Sequence, residues 1–306
     1  MTVINTNTAA NVTANALTKN ERAMSQAMER LSTGQRINSA SDDAAGLAIS
    51  SRMTSQINGL NMAVRNANDA ISYLQTADGA IVEITNMLQR MRELAVQASS
   101  DTMGSTDKAA LQTEFAQLQA QIQDISTDTQ WNGTAILNGQ AGSVSFQVGA
   151  NASQTISLEV GDYNTDYDGT ESATKAASAA IFTKLDHDGT RDGSDADATD
   201  LAVLDIDDAD SGAAGPLAAI YAIDEAIDNV NADRAAIGAV INRLEYAADN
   251  LANVSQNTSA SRSRVLDADY ASETTELART QIIQQAATAM LSQANQQAQT
   301  VLALLQ

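Results

Sequence analysis

The 306-residue chain has no cysteine. That excludes disulfides, thiolate zinc sites and a cysteine nucleophile. It has one histidine, His187. A serine–histidine–acid triad would have to use it, and a two-histidine metal motif is impossible within one chain. His187 sits in an Asp-rich stretch with no partner base or nucleophile suggested nearby, so it reads as an exposed loop residue. There is one proline, Pro216, and aromatics are 3% of the chain. Ordinary cores use rings to fill volume; this chain must bury small aliphatic residues along long interfaces. Basic residues are scarce as well, 17 against 38 acids, for a net charge of −21. Such a surface repels phosphate backbones and argues against nucleic-acid binding. Long apolar runs are missing. Residues 1–20 lack the basic start and apolar stretch of a signal peptide, so export would need a route without a cleaved leader. Thr280 to Gln306 is free of charge, yet its eight glutamines make it too polar to insert in a membrane. The expectation is a protein with no catalytic centre, no metal and no cofactor.

What the chain does have is unevenly spread. Residues 160–212 carry a net charge of −11, against −5 for the stretch before and −5 for the stretch after. This middle segment is rich in Gly, Asp, Thr and Ser and reads as a solvent-facing insertion. Asp186, Asp188, Thr190, Asp192 and Ser194 alternate like calcium ligands. Arg191, however, stands where an EF-hand loop requires glycine, and Asp197 where it requires glutamate. The pattern reads as a solvated loop.

On either side of the insertion the apolar period is helical. Ile57, Leu60, Val64, Ala67, Ile71 and Leu74 lead, after one phase shift, into Ala77, Ile81, Ile84, Leu88, Met91, Ala95 and Ala98. Steps of three and four make a coiled-coil seam, about 63 Å long at 1.5 Å per residue. A second seam runs Leu111, Phe115, Leu118, Ile122, Ile125, with Ser105 or Thr106 as its expected N-cap. The period then changes to two: Val144, Phe146 and Val148, then Ile156, Leu158 and Val160, predict a β-hairpin with one apolar face. Trp131 lies in the connection and is expected to pack against these elements. Beyond the insertion Pro216 opens a third seam: Leu217, Ile220, Ile223, Ile227, Val230, Ile237, Ile241, Leu244, Ala248 and Leu251. Arg234 interrupts it and could fix register. Both chain ends carry stripes too: Leu17, Met24, Met28 and Leu31 at one end, and Ile283, Ala287, Met290, Ala294, Ala298, Val301 and Leu305 at the other. A lone helix of this kind is marginal in water. The stripes must meet each other or other copies, and contacts that do not close generate open helical filaments.

Several long blocks, in order, resemble bacterial flagellin: VINTN from Val3, RLSTGQRINSASDDAAGLAIS from Arg30, LQRMRELAVQAS, QWNGT around Trp131, FQVGAN around Phe146, RSRVLDADYASE from Arg262 and QIIQQAATAMLSQANQ from Gln281. The resemblance covers about 1–162 and 214–306 and leaves out only the acidic insertion. It implies a mainly α fold in which long coiled-coil-like helices from both chain ends pack together, with a small β-hairpin and a short variable acidic surface insertion. The implied domains are terminal helices of an inner filament core (1–43 with 267–306), a long-helix outer core with the hairpin (44–163 with 214–266), and the exposed insertion (164–213).

The resemblance further implies a non-enzymatic subunit of an extracellular motility filament, a helical homopolymer exported unfolded by the flagellar type III apparatus. Implied partners are an export chaperone, the filament cap and hook–filament junction proteins. Leu302, Leu304 and Leu305 are the implied chaperone contacts. Gln89, Arg90, Leu94 and Glu114 match positions through which flagellin monomers contact a vertebrate Toll-like receptor. A rival is the hook–filament junction protein, which shares the terminal helices but generally lacks the run from LQRMRELAVQ to FQVGAN. Another is an acidic surface binding module, for which the insertion offers only scattered aspartates.

Overall fold

The computed structural model describes residues 7–139, 142–163 and 215–303. The order is α1 (Thr8–Thr33), α2 (Ala44–Ala98), α3 (Ser105–Asp128), β1 (Gln130–Trp131), β2 (Thr134–Ala135), β3 (Ser143–Gln147), β4 (Thr155–Glu159), α4 (Pro216–Leu266) and α5 (Tyr270–Ala303). The fold is mainly α with two small antiparallel hairpins. The acidic insertion, His187 and the calcium-like spacing lie outside the described residues. No described helix is long and apolar enough to cross a membrane, and no three His, Asp or Glu side chains among the described residues are placed to hold a metal.

Local chemistry sets the helix ends. Asn7 caps α1 by accepting the Ala10 N–H at 3.0 Å, and Gly34, at φ 71°, ends it. Asp43 accepts the Gly46 N–H at 2.8 Å ahead of α2. The N-cap of α3 is Gly104 rather than Ser105 or Thr106; it has no side chain to cap the helix, and the Asp107 carboxylate three residues on accepts from the Gly104 N–H, as the acidic member of a capping box does. Pro216 is the first residue of α4, where its missing N–H costs nothing.

The chain divides into two compact units, one from 1–58 and 254–306, the other from 59–253. α2 and α4 contribute residues to both. The second unit holds a continuous aliphatic core. On α2 it takes in Leu74, Ile81, Ile84, Leu88, Met91 and Leu94, and on α3 Phe115 and Ile122. On α4, Ile223, Val230, Ile237 and Leu244 recur every seven residues. Leu217, expected on this seam, is instead 67% exposed, because the buried stripe of α4 begins at Ala219. β3 and β4 pair in register, with Phe146 opposite Ile156. Tyr73 of α2 meets Phe146 and Trp131 edge-on, at centroid distances of 5.7 and 6.2 Å.

Arg234 of α4 keeps its expected seam position and ion-pairs with Asp78 of α2 at 3.0 Å. Beside it, Asp233 accepts from the Gly161 N–H at 3.1 Å and the Tyr163 hydroxyl at 3.3 Å. Tyr163 is fully buried, and burial together with the Asp233 charge pushes its hydroxyl pKa well up. Burial also raises the Asp233 carboxyl above its usual range, against the opposing pull of those two hydrogen bonds.

Candidate functional site

The first unit is built on α1 and α5, which run antiparallel. Asn20 donates to the Thr280 carbonyl at 2.7 Å, Asn7 to the Ala294 carbonyl at 3.2 Å, and Arg30 pairs with Glu273 at 3.1 Å. At one end of the pair the two connecting segments are tied backbone to backbone. The Arg36 N–H donates to the Leu266 carbonyl at 2.7 Å, and the Ala268 N–H donates to that of Gly34 at 2.9 Å. The Arg36 guanidinium reaches the Val265 carbonyl, and the Tyr270 hydroxyl donates to that of Leu31.

This seam shelters two polar side chains, Asn20 and Thr280. Among the described residues of the unit, the buried apolar ones are Ala27, Ile37 and Ile57, while Asn20, Ser50, Ser255 and Thr280 are buried polar ones. Of the stripe residues expected to pack, Leu17, Met24, Leu31, Ala287 and Ala294 are half-buried, on or beside the α1–α5 seam. Met28, Ile283 and Met290 are exposed, Met290 by 62%. They lie off the seam because the α5 positions turned toward α1 are Leu277, Thr280, Gln284, Ala287, Leu291 and Ala294. Val12 and Ile282 add to this uncovered apolar surface, at 70% and 67% exposed. These five large apolar side chains stand in solvent on α1 and α5. Ala298, Val301 and Leu302 fall within α5, but their side chains lie outside the described part, as do Leu304 and Leu305 entirely.

The second expected site falls on α2 and α3. Gln89 and Glu114 are exposed, and Arg90 donates from Nε and Nη2 to one Glu114 oxygen, both at 2.9 Å, and from Nη1 to Glu93. The Glu114 carboxylate, then Glu93, holds the Arg90 guanidinium above its ordinary range. Arg92, two residues on, points the other way and pairs with Asp224 of α4. Arg90, Gln89 and Glu114 thus form one accessible polar face. Leu94 does not join it as an apolar anchor: it is 1% exposed and belongs to the core. Its position, three residues past Met91, puts it on the broad buried face of a helix flanked by both α3 and α4.

Sequence reasoning missed the clasp of Gly34, Arg36, Leu266 and Ala268, which is made by backbone groups and carries no apolar signal. It also missed the β1–β2 hairpin, although Asn132–Gly133 is a strong turn signal for a two-residue loop.

Two family models match. The bacterial flagellin N-terminal helical region matches residues 4–142, and the C-terminal helical region matches residues 220–305. Flagellin of Halalkalibacterium halodurans is 45% identical over 280 residues, covering 92% of this chain and 91% of that protein. Flagellin of Bacillus subtilis is 42% identical over 316 residues, covering 99% of both. A crystal structure of Bacillus cereus flagellin is 28% identical with a TM-score of 0.43, covering 61% of this chain and 88% of that one. By the two matched regions, and by full-length identity to these relatives, the chain belongs to the bacterial flagellin family.

Proposed function

We propose that this chain is the structural subunit of the flagellar filament and that α1 and α5 form its assembly surface. The observation that carries the reading is the set of exposed apolar side chains Val12, Met28, Ile282, Ile283 and Met290 on a helix pair whose seam buries the polar Asn20 and Thr280 while leaving these in solvent. In this reading 1–43 and 267–306 make the inner core of the filament, 44–163 and 214–266 the outer core, and 164–213 the exposed surface. The subunit is exported unfolded through the flagellar type III apparatus and works outside the cell. Before export a chaperone covers the C-terminal segment around Leu302, Leu304 and Leu305. Its further partners are the cap protein at the growing end and the hook–filament junction proteins. An exposed amphipathic helix is an aggregation hazard, which gives the chaperone a physical purpose.

The test is seeded polymerisation. Purified chain added to filament fragments should pellet as fibres. The same chain lacking Gln281 to Gln306 should keep its second unit folded and stay soluble. Fibres of normal length from the truncated chain would overturn the assignment of the surface. Deleting 170–210 should leave polymerisation intact.

A second role is supported by the accessible face of Gln89, Arg90 and Glu114. As a monomer the chain engages the vertebrate Toll-like receptor for flagellin through these side chains. Arg90 is already occupied by Glu114 and Glu93, so a receptor carboxylate must displace them. Monomer should activate receptor-bearing cells, intact filament should do so poorly, and Arg90→Ala should weaken the response without unfolding the chain. Full activity from Arg90→Ala would remove this role and leave the filament assignment standing.

A further inference from the structure

Asparagine followed by glycine carries a latent reaction. The glycine amide nitrogen can attack the asparagine side-chain carbon, since no Cβ on the following residue hinders the approach. The reaction requires a free N–H, a free side-chain amide and a backbone able to swing. The chain has three such pairs, Asn58–Gly59, Asn132–Gly133 and Asn138–Gly139, and the fold places them in three different environments.

Asn58–Gly59 lies in the interior of α2, so its amides belong to the helical hydrogen-bond ladder. A Cβ at Gly59 would also lie 3.1 Å from that of Ala150. Asn138 is bridged antiparallel to Asp162, and a Cβ at Gly139 would run into the Asp162 carboxylate. Both pairs are held and crowded. Asn132–Gly133 forms the two-residue tip between β1 and β2, with φ of 50° and 81°. Both residues are exposed, and nothing lies within 4 Å of where a Gly133 Cβ would stand. Among the described residues, neither the Asn132 side chain nor the Gly133 N–H takes part in a hydrogen bond. The ladder behind the tip is two pairs long, Trp131 with Thr134 and Gln130 with Ala135, so little restrains it.

We propose that Asn132 is a self-processing deamidation site. The Gly133 nitrogen gives up its proton and bonds to Asn132 Cγ. The Cγ–Nδ2 bond breaks, ammonia leaves and a five-membered succinimide closes. Water then opens the ring at one of its two carbonyl carbons, giving aspartate or isoaspartate. Isoaspartate adds a carbon to the main chain of a turn whose twist depends on a two-residue loop. The change falls beside Trp131, the one tryptophan of the chain, which rests edge-on against Tyr73. Loss of the turn frees that ring. Water is the only co-reactant, so the site records the age of the molecule.

The experiment is to hold the full chain in mildly alkaline buffer and follow it by peptide mass spectrometry, by isoaspartate methyltransferase labelling and by tryptophan emission. Asn132 should convert about tenfold or more faster than Asn58 or Asn138, because both of those require local opening first. Trp131 emission should move toward that of a solvated ring on the same time course. Asn132→Gly keeps a loop sequence suited to this turn and removes the reactive amide, so its emission should stay constant. Conversion at Asn58 or Asn138 as fast as at Asn132 would overturn the proposal. So would an emission drift that persists in Asn132→Gly.

Discussion

The two units of this chain solve burial in opposite ways. Among described residues, the unit spanning 59–253 buries a continuous, mainly aliphatic core from Ala67 to Leu244, and the buried polar side chains of that unit are three, Thr85, Gln119 and Ser126. The unit made from the chain ends buries three apolar side chains and four polar ones, and leaves Val12, Met28, Ile282, Ile283 and Met290 in solvent. Charge divides along the same line. The end unit carries eight acids and eight bases, for a net charge of zero, and the other unit carries the entire −21. The unit spanning 59–253 is built around that core, although Leu217, Tyr221 and Tyr246 also stand in solvent on it. The other is held in register by hydrogen bonds such as Asn20 to the Thr280 carbonyl, and in the proposed reading its exposed apolar side chains are covered by other copies of the chain. A neutral surface suits close association of many copies, since like charge would repel at each added contact.

Equal truncations in the two units should break this symmetry most clearly. Leu88 is fully buried in the core of 59–253, so Leu88→Ala should lower the stability of that unit by about 2–5 kcal/mol. Met290→Ala, at a 62% exposed position, should change subunit stability by no more than about 0.5 kcal/mol, while raising the concentration needed for polymerisation. Denaturant unfolding and a pelleting assay on both variants separate the two effects. A smaller change is expected from Asn20→Ala, which removes a buried side-chain bond and should cost the α1–α5 pair about 1 kcal/mol. Circular dichroism melting of that variant should show an earlier loss of helix with the main transition unmoved.

Acid should also distinguish the units. In the end unit, the backbone N–H groups of Ser39 and Asn38 hold Asp42 below its usual 3.8, and Arg279 holds Glu276 below its usual 4.5. A depressed folded pKa gives stability that is present above the unfolded value and lost as pH falls through the folded one. Asp233, in the other unit, is raised by burial. Its contribution has the opposite sign: full below the unfolded pKa and lost as pH rises through the folded one. Lowering pH through the carboxylate range should therefore loosen α1 and α5 while slightly firming the clasp of Tyr163 to Asp233, as read by residue-level amide exchange. Asp233→Asn should flatten the second response. The smallest effect belongs to the exposed ion pairs: Arg234→Gln, which breaks the pair with Asp78, should cost about 0.2–1 kcal/mol and less in high salt.

How legible each unit was in the sequence follows from the same contrast. Ile223, Val230, Ile237 and Leu244 announce their seam because large aliphatic side chains at heptad spacing have no other use. The β3–β4 register could be read from Phe146 and Ile156 for a similar reason. On α5 the apolar stripe drawn through Ile283, Ala287, Met290 and Ala294 joined residues beside α1 to residues in solvent. The seam that forms passes through Thr280 and Gln284, which no hydropathy pattern marks. Leu94 is expected at the receptor face from its resemblance to a flagellin contact position one turn from Arg90, yet it is buried. Packing of α2 between two helices widened its buried face beyond the strict seam. Gly104 took the cap of α3 because the side chain that matters, Asp107, sits three residues further on.

Residue-level hydrogen exchange on free subunit and on seeded polymer tests the central claim most directly. In the free subunit, amides of α1 and α5 should exchange much faster than those of Leu74 to Leu94 and Ile223 to Leu244. In the polymer, the α1 and α5 amides should become protected while the others stay as they were. Amides of α1 and α5 as slow in the free subunit as those of the aliphatic core, or unprotected in the polymer, would contradict the account.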